Sequence, residues 1–285
     1  MAIRPKQAPA IDTSFARAAQ LLLPQRDTVN LLLIGCGGTG SWLAPSIARL
    51  ARVVKDSGRE VNVVFIDGDS VEDKNIPRQN FCEAEISMNK AVTLANRFGA
   101  AWGLEIEAIP SMLRSDMQSK VFATSHFSLQ IFIGCVDNAA ARKTIAEMLA
   151  INQAGKSHDI WWLDCGNSNE SGQVLLGSAP TVKALKGAFV SSRTCVALPS
   201  PALQAPDLLI ARPEELSDTR MSCAELMALN MQSLAVNQMV AAVASDFLTR
   251  LLTGLPLKRF ATTFDLASGS SRSLAITPEN LGLTR

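Results

Sequence analysis

VNLLLIGCGGTG, the stretch from Val29 to Gly40, decides the fold of this chain. Its first seven residues form an apolar run without a polar face, which is typical of a strand covered on both sides. The residues through Gly40 complete the pattern G-x-G-x-x-G, and apolar side chains then recur at helical spacing as far as Val54. A glycine turn between a buried strand and a helix is the context in which this pattern indicates nucleotide binding.

Four glycines in the turn are candidates for contact with the nucleotide: Gly35, Gly37, Gly38 and Gly40. Glycine adopts positive φ and lets the backbone approach a phosphate closely, while a helix N-terminus favours the anion. Asp67 closes the second buried strand, where a carboxylate can accept hydrogen bonds from ribose hydroxyls. These features fit NAD as well as ATP.

Strand-like and helix-like segments alternate from residue 29 to residue 177. This βαβαβ succession predicts an α/β fold with a doubly wound, Rossmann-like, mostly parallel sheet and helices on both faces. A long helix from about Ser222 to Leu252 follows, and two strands within Ala261–Ile276 predict a C-terminal antiparallel extension.

We divide the chain into four expected segments, the last of which completes the same domain as the second. They are an N-terminal helical arm (1–28), a nucleotide-binding adenylation core (29–178), a crossover loop (179–221) and a C-terminal helix and hairpin (222–285). The arm is expected to hold an amphipathic helix from Asp12 to Leu23. The loop is expected because Pro and small residues accumulate there without clear periodicity.

The composition excludes several classes of protein. The 285 residues are 47% apolar and have a net charge of +1, which excludes a disordered tail and gives no basic field for nucleic acid or an anionic membrane. No signal peptide is visible, and the longest apolar stretch, Leu234–Leu252, is interrupted by polar residues, so we expect a cytoplasmic protein without membrane contact. The six cysteines include no C-x-x-C pair, so no zinc is predicted.

Side chains for acid–base chemistry are scarce. The chain has no Tyr and two His, His126 and His158. A nicotinamide enzyme needs a proton donor or acceptor beside the hydride centre, commonly His or a Tyr–Lys pair. The composition therefore disfavours an NAD-dependent oxidoreductase.

A second group of polar residues follows the second strand, in DGDSVEDKNIPRQNF from Asp67 to Phe81. It places Asn75, Arg78 and Gln79 beyond the carboxyl end of the sheet, where ligands bind in this architecture. Lys90 follows near the start of a helix. Two cations converging on this crevice are what a triphosphate requires.

A third motif, GCVDN from Gly134 to Asn138, ends the fourth strand. A carboxylate at that edge, Asp137, can hold Mg²⁺, which bridges phosphate oxygens. Asn138 can serve as the N-cap of the next helix, and Asp137 followed by Asn138 could serve both purposes.

These motifs, in this order, resemble those of the ThiF/MoeB adenylyltransferase family, which includes the catalytic adenylation domains of ubiquitin-activating enzymes. The resemblance rests on GCGGTG, D-x-D-x-V-E-x-x-N-x-x-R-Q (Asp67 to Gln79), N-K-A (Asn89 to Ala91) and V-D-N-x-x-x-R (Val136 to Arg142). More narrowly, GCGGTGSWLAP and RQNF resemble the ThiF-family members of bacterial PRTRC plasmid-associated gene clusters.

The resemblance implies MgATP-dependent activation of the C-terminal glycine carboxylate of a ubiquitin-like protein as an acyl-adenylate. It assigns the turn glycines to the nucleotide, Asp67 to the ribose, Asn75, Arg78 and Lys90 to phosphates, and Asp137 to magnesium. The full set expected to bind MgATP is Gly35, Gly37, Gly38, Gly40, Asp67, Asp69, Asn75, Arg78, Gln79, Lys90, Asp137 and Asn138. The expected catalytic residues are Arg78, Lys90, Asp137 and Cys223.

The resemblance is the reason for naming Cys223. Relatives that form a thioester or persulfide use a cysteine before the late helix, and Cys223 stands near that helix start, where the dipole would stabilise a thiolate. Cys195 is the alternative, and either could be a small buried hydrophobe. The family also implies a homodimer in which a partner arginine, Arg17 or Arg4, completes the phosphate site.

Two other functions remain open. One is adenylation of another substrate, a small carboxylate or a tRNA base, although the neutral net charge weighs weakly against RNA. The other is a nucleotide-binding scaffold without turnover, which the presence of Arg78, Lys90 and Asp137 makes less favoured.

Overall fold

The computed structural model describes residues 13–117, 128–152, 158–168, 170–211 and 223–283, with the side chains of the last range from residue 234 onward. The strands are β1 (Gln20–Leu21), β2 (Thr28–Ile34), β3 (Glu60–Ile66), β4 (Ile106–Ile109), β5 (Ser128–Gly134), β6 (Ile160–Asn167), β7 (Ser171–Gly177), β8 (Phe189–Ser191), β9 (Thr194–Cys195), β10 (Arg259–Asp265) and β11 (Ser270–Ala275). The helices are α1 (Ser14–Arg17), α2 (Gly38–Asp56), α3 (Lys90–Trp102), α4 (Ala139–Leu149), α5 (Pro201–Gln204) and α6 (Cys223–Thr253).

Strand β2 lies at the centre of the main sheet, and all its residues except Thr28 are buried. Side chains of a strand point alternately to opposite faces. Leu31 and Leu33 accordingly pack into the hydrophobic cluster on one face, whereas Leu32 and Ile34 pack into the cluster on the other. Burial on both faces explains why this run shows no alternation of apolar and polar residues.

The main sheet has the order β11-β10-β7-β6-β5-β2-β3-β4. Strands β2 to β6 are parallel to one another. Strand β7 is antiparallel to β6, β10 to β7, and β11 to β10. After β2 the chain forms β3 and then β4 on one side of β2, and it afterwards crosses back to form β5 on the other side of β2. This reversal is a topological switch point, where doubly wound sheets form their ligand crevice.

Helices cover both faces of the sheet. Helices α2, α3 and α6 pack on one face, with α2 and α6 in close contact, and α4 packs against β5 and β6 on the other. This arrangement confirms the predicted fold class, including the antiparallel hairpin of β10 and β11. Within the described ranges, no helix is both long and apolar enough to cross a bilayer.

Two segments differ from expectation. The predicted helix Asp12–Leu23 extends only over Ser14–Arg17, because the chain then turns extended and β1 pairs in parallel with β9. The segment 179–211, which lacks a periodic pattern, contains β8, β9 and α5. With β1 these strands form a small second sheet, in the order β1-β9-β8, whose apolar side chains join the main core.

Candidate functional site

At two positions of the turn the surrounding backbone leaves room only for glycine. Gly35 has φ +88°, and a Cβ atom there would lie 2.5 Å from the carbonyl oxygen of Cys135. A Cβ atom at Gly40 would overlap the carbonyl oxygen of Gly35. The ends of β2 and β5 and the first turn of α2 therefore meet with no room for side chains between them.

Gly37 stands in a different environment. It is the N-cap of α2, and the nearest atom to an added Cβ would be Nε2 of Gln79, 3.9 Å away. The first N–H groups of a helix have no partner within the helix, and they carry the positive end of its dipole. The space beside Gly37 therefore gives an anion access to the N-terminus of α2.

Asp67 joins the end of β3 to the glycine turn. Its Oδ2 accepts a hydrogen bond from the backbone N–H of Cys36 at 2.6 Å, and Oδ1 accepts from the N–H of Asp69 at 2.8 Å. Burial raises the pKa of this carboxyl, and the two backbone N–H groups and Lys90 oppose that rise. Each oxygen retains a lone pair, so a bond to ribose stays a prediction.

Lys90, the first residue of α3, is placed by the residues around it. The N-cap residue of that helix, Asn89, donates hydrogen bonds to the backbone carbonyls of Asp67 and Asp69. The Lys90 ammonium in turn forms an ion pair with the Asp69 carboxylate at 3.2 Å. The start of α3 is thus fixed beside the carboxyl end of β3.

The loop that carries Arg78 and Gln79 lies against α2. Trp42 Nε1 donates to the carbonyl of Arg78 at 3.1 Å, and Ser41 Oγ accepts from the N–H of Asn80 at 2.9 Å. Arg78 Nε and Gln79 Oε1 are buried and have no hydrogen-bond partner in the described part of the chain. The hydrogen-bonding capacity of these two atoms is therefore available to a polar ligand at this edge.

Asn75 differs from its two neighbours in the same loop. It is buried, and its Oδ1 accepts a hydrogen bond from the backbone N–H of Glu72 at 3.0 Å. This bond closes the short 3₁₀ turn Asp73–Asn75 as a capping box. Asn75 therefore shapes the loop, and its expected contact with phosphate stays a prediction.

Asp137 and Asn138 follow β5 at the same edge. Asn138 is the N-cap of α4, since its Oδ1 accepts from the N–H of Ala141 at 2.8 Å, while its Nδ2 donates to Asp137 Oδ1 at 3.3 Å. The capping interpretation of Asn138 is thus confirmed. The Asp137 side chain remains exposed at the carboxyl edge.

The donor set at this edge is compatible with magnesium. No cluster of three His, Cys, Asp or Glu residues able to hold a metal occurs among the described residues. Magnesium bound with nucleotides takes one or two protein carboxylates and completes its coordination with phosphate oxygens and water. A single exposed carboxylate at Asp137 fits that pattern.

The alternative nucleophile, Cys195, has the wrong environment. It is fully buried in β9, its Sγ donates to the carbonyl of Ala197 at 3.1 Å, and burial raises its pKa to about 11. Burial and the raised pKa both disfavour attack by this thiol, so Cys195 is the weaker of the two candidates. Cys223 begins α6, but its side chain lies outside the described residues.

Two other residues considered from the sequence, Arg17 and His158, lie away from the carboxyl edge. Arg17 is exposed at the end of α1, beside β1, whose Leu21 donates its N–H to Leu257 just before β10. Strand β10 starts at the amino edge of the parallel strands, so Arg17 lies near that edge. The ligand crevice is at the opposite, carboxyl edge, and Arg17 is therefore not part of the crevice of its own chain. His158 is buried before β6 with Nδ1 2.7 Å from Ser178 Oγ. Arg4 and His126 lie outside the described residues.

Comparison with known proteins identifies the family. The model of the ThiF family matches residues 23–281. The chain belongs to the ThiF family. No protein of curated function matches the sequence significantly.

Solved structures similar to this ThiF-family chain share its fold. PaaA has a TM-score of 0.57 at 16% identity, over 92% of this chain and 66% of its own. Escherichia coli MccB with ATP has a TM-score of 0.54 at 13% identity, over 93% and 67%. MccB with N-formylated MccA has a TM-score of 0.52 at 13% identity, over 87% and 64%. The ThiF-family chain thus spans about two thirds of the length of these proteins.

Sequence reasoning missed a buried ion pair in this ThiF-family chain. Arg142 Nε lies 3.0 Å from Oδ1 of Asp164, and both side chains are buried. Burial raises the pKa of the Asp164 carboxyl, which Arg142 opposes. The pair joins α4 to β6 next to the carboxyl edge. The motif V-D-N-x-x-x-R contains Arg142, but Asp164 stands within an apolar strand with no pattern to identify it.

Asn237 was missed as well. It lies on the buried face of α6, and its Oδ1 accepts a hydrogen bond from Thr39 in the first turn of α2. The signal was a polar residue among Val236, Val240 and Ala241, which are buried on the same helix.

Proposed function

We propose that this ThiF-family protein is a MgATP-dependent adenylyltransferase that activates the C-terminal carboxylate of a ubiquitin-like protein. The observation that carries the proposal is that one sheet edge holds the open glycine turn, Arg78, Lys90 and the exposed carboxylate of Asp137. Family membership supports adenylation, and the sequence resemblance supports the ubiquitin-like substrate.

The proposed chemistry needs few proton transfers. A substrate carboxylate oxygen forms a bond to the α-phosphorus of ATP while the bond to the bridging oxygen of the β-phosphate breaks, giving an acyl-adenylate and pyrophosphate. The nucleophile is already ionised, and the leaving group needs charge neutralisation more than a proton. Positioning and electrostatic stabilisation are sufficient, which accords with the scarcity of His and the absence of Tyr.

Each site residue has a distinct part in this scheme. The free N–H groups at the start of α2 would bind phosphate oxygens, and Arg78 and Lys90 would neutralise the charge that develops on pyrophosphate. Asp137 would hold the Mg²⁺ that arrives with ATP. Asp67 would bind the ribose, while the hydrogen bonds that its carboxylate accepts from the backbone N–H groups of Cys36 and Asp69 would keep the turn in place.

The substrate assignment draws on two sources. A solved structure of MccB contains AMPCPP together with MccA, so that similar fold accommodates a nucleotide and a second ligand at once. The resemblance to PRTRC cluster members points to a ubiquitin-like protein encoded in the same cluster. We further infer that the enzyme acts in the cytoplasm as a homodimer whose partner supplies Arg17 or Arg4, and that the Cys223 thiol, losing its proton to solvent, attacks the acyl-adenylate, so that the acyl–phosphate bond breaks, AMP leaves and a thioester forms.

The experiment is ATP–pyrophosphate exchange with the candidate ubiquitin-like protein. We expect Mg²⁺-dependent exchange with that protein and none with the same protein lacking its C-terminal glycine. Asp137→Ala should lower the rate on the order of 10²-fold, the scale for removing one preorganised charge. Asp56→Ala is the control, because Asp56 is exposed at the opposite end of α2.

Three outcomes would contradict parts of this proposal. Exchange with the truncated protein would exclude its C-terminal carboxylate as the nucleophile. Exchange with a small carboxylate or a tRNA in its place would favour the alternative substrates. MgATP binding without exchange under all these conditions would favour a nucleotide-binding scaffold.

A further inference from the structure

Asn237 occupies an unusual place in helix α6. The residue is 2% exposed, and the helix buries Val236, Val240 and Ala241 around it. A primary amide in such a position costs free energy unless its polar atoms are hydrogen-bonded. The contacts of Asn237 therefore indicate what it does for the fold.

The contacts connect three elements. Asn237 Oδ1 accepts a hydrogen bond from Thr39 Oγ1 of α2 at 3.1 Å and another from Asn167 Nδ2, at the end of β6, at 2.5 Å. Asn167 Nδ2 also lies 3.4 Å from Thr39 Oγ1. One amide oxygen thus joins the late helix to the first turn of α2 and to the carboxyl end of β6.

The amide also packs directly on the glycine turn. A Cβ atom at Gly38 would lie 2.7 Å from Asn237 Oδ1 and 2.8 Å from its Nδ2. A larger residue at Gly38 would therefore have to displace the Asn237 amide, whereas a Cβ atom at Gly37 would meet only Nε2 of Gln79, at 3.9 Å. The same first turn is thus held on one side by Asn237 and accessible to a ligand on the other.

We propose that Asn237 is a positioning residue that acts through Thr39 and Asn167 to hold the first turn of α2 in the orientation that binds nucleotide phosphates. The inference rests on the proposed function, because it requires the turn to bind ATP. It makes the late helix a part of the nucleotide site, although Asn237 itself need not touch the nucleotide. Hydrogen-bonded supporting residues of this kind fix the geometry of a binding site.

The test compares nucleotide affinities of full-length variants by titration calorimetry, with MgATP and adenosine as probes. Thr39→Val removes the hydroxyl at nearly constant shape, and Thr39→Ser restores it. Asn237→Leu removes the amide, and if that variant does not fold, the two Thr39 variants decide alone. Val240→Ala is the matched control, because Val240 is buried one turn later on the same helix, where its Cγ2 lies beside Gly172 of β7.

We expect Thr39→Val and Asn237→Leu to weaken MgATP binding about 10-fold or more, with adenosine binding within about 2-fold of wild type. The lost affinity should reside in the phosphates, since the turn is their expected site. Thr39→Ser should bind MgATP nearly as well as wild type, and Val240→Ala should lower the melting temperature while leaving the affinity unchanged.

Two results would overturn the inference in different ways. Wild-type affinity for MgATP in Thr39→Val, or an equal loss in Val240→Ala, would assign Asn237 a purely structural role while the proposed function stands. Absence of MgATP binding by the wild-type chain would refute the proposed function, and the inference would fall with it.

Discussion

The ammonium nitrogen of Lys90 lies 3.2 Å from Oδ2 of Asp69, and the side chains differ in exposure, 7% for the lysine and 55% for the aspartate. The lysine stem is thus buried at the start of α3 while its charged end is held at the carboxyl edge of the sheet. An exposed carboxylate contributes little net attraction, because water screens it. Lys90 can therefore exchange this partner for a phosphate at small cost.

We predict that Lys90→Met lowers the rate of ATP–pyrophosphate exchange on the order of 10²-fold. Asp69→Asn should lower it less than about 10-fold, because its backbone carbonyl still accepts from the Lys90 N–H. Lys74→Met is the control, since Lys74 is an exposed lysine of the preceding loop that pairs with Glu72. Equal losses in the two lysine variants would show that general surface charge, and not Lys90 in particular, matters.

Substitutions at two glycines of the turn should have different effects, one on protein stability and the other on MgATP binding. Gly35→Ala places a Cβ atom 2.5 Å from the Cys135 carbonyl at φ +88°, so we expect a marked fall in melting temperature. Gly37→Ala meets no atom closer than 3.9 Å, so its melting temperature should stay near that of wild type while MgATP binding weakens. Thermal unfolding and calorimetry check the pair. A Gly37→Ala protein with normal affinity would mean that phosphates do not approach this turn.

Breaking the Arg142–Asp164 ion pair should lower the free energy of unfolding by a large amount that depends on pH. Arg142→Met leaves a buried carboxylate without its partner and should cost about 3–5 kcal/mol in the free energy of unfolding. Replacing both residues, as Arg142→Met with Asp164→Leu, should recover most of that loss, because no buried charge remains.

The sign of the pH dependence follows from the raised pKa. Burial already raises the pKa of Asp164 above its unfolded value, and loss of Arg142 removes the group that opposes this shift. A carboxyl whose folded pKa is raised loses stability as pH increases from the unfolded toward the folded pKa. Urea unfolding should therefore find Arg142→Met less destabilised at pH 5 than at pH 8. Equal losses at both pH values would mean that Asp164 stays ionised.

The two cysteines should differ in reactivity. With a pKa of about 11 and full burial, Cys195 should resist alkylation by iodoacetamide at pH 8 in the folded protein, which peptide mass spectrometry can measure. A thioester adduct with the ubiquitin-like protein, cleaved by an excess of added thiol, should persist in Cys195→Ser and vanish in Cys223→Ala, while pyrophosphate exchange continues in both. Loss of the adduct in Cys195→Ser alone would reverse the assignment.

Much of the fold could be predicted because local patterns determine it. The apolar run of β2 and the glycine turn are contiguous in sequence, and the alternation of strands and helices implies a parallel sheet with a crevice at its carboxyl edge. Asp67 and Asp137 could be placed on that edge because each follows a buried strand. Their contacts with a nucleotide remain predictions.

The missed features depend on partners distant in sequence. The strands β8 and β9 are three and two residues long, too short to show alternation, and they form only by pairing with each other and with β1. Asp164 is stabilised by Arg142, 22 residues earlier, and nothing near it in the sequence indicates a buried charge pair. Propensity and periodicity carry no information about such contacts.

The hydrogen bond from Thr39 to Asn237 spans 198 residues. The ribosome therefore completes every motif of the nucleotide site long before it adds the side chain that holds the first turn of α2. A nascent or prematurely terminated chain would carry the whole family signature and an incompletely supported site. We therefore expect a chain that stops before α6 to bind MgATP more weakly than a chain that contains this helix.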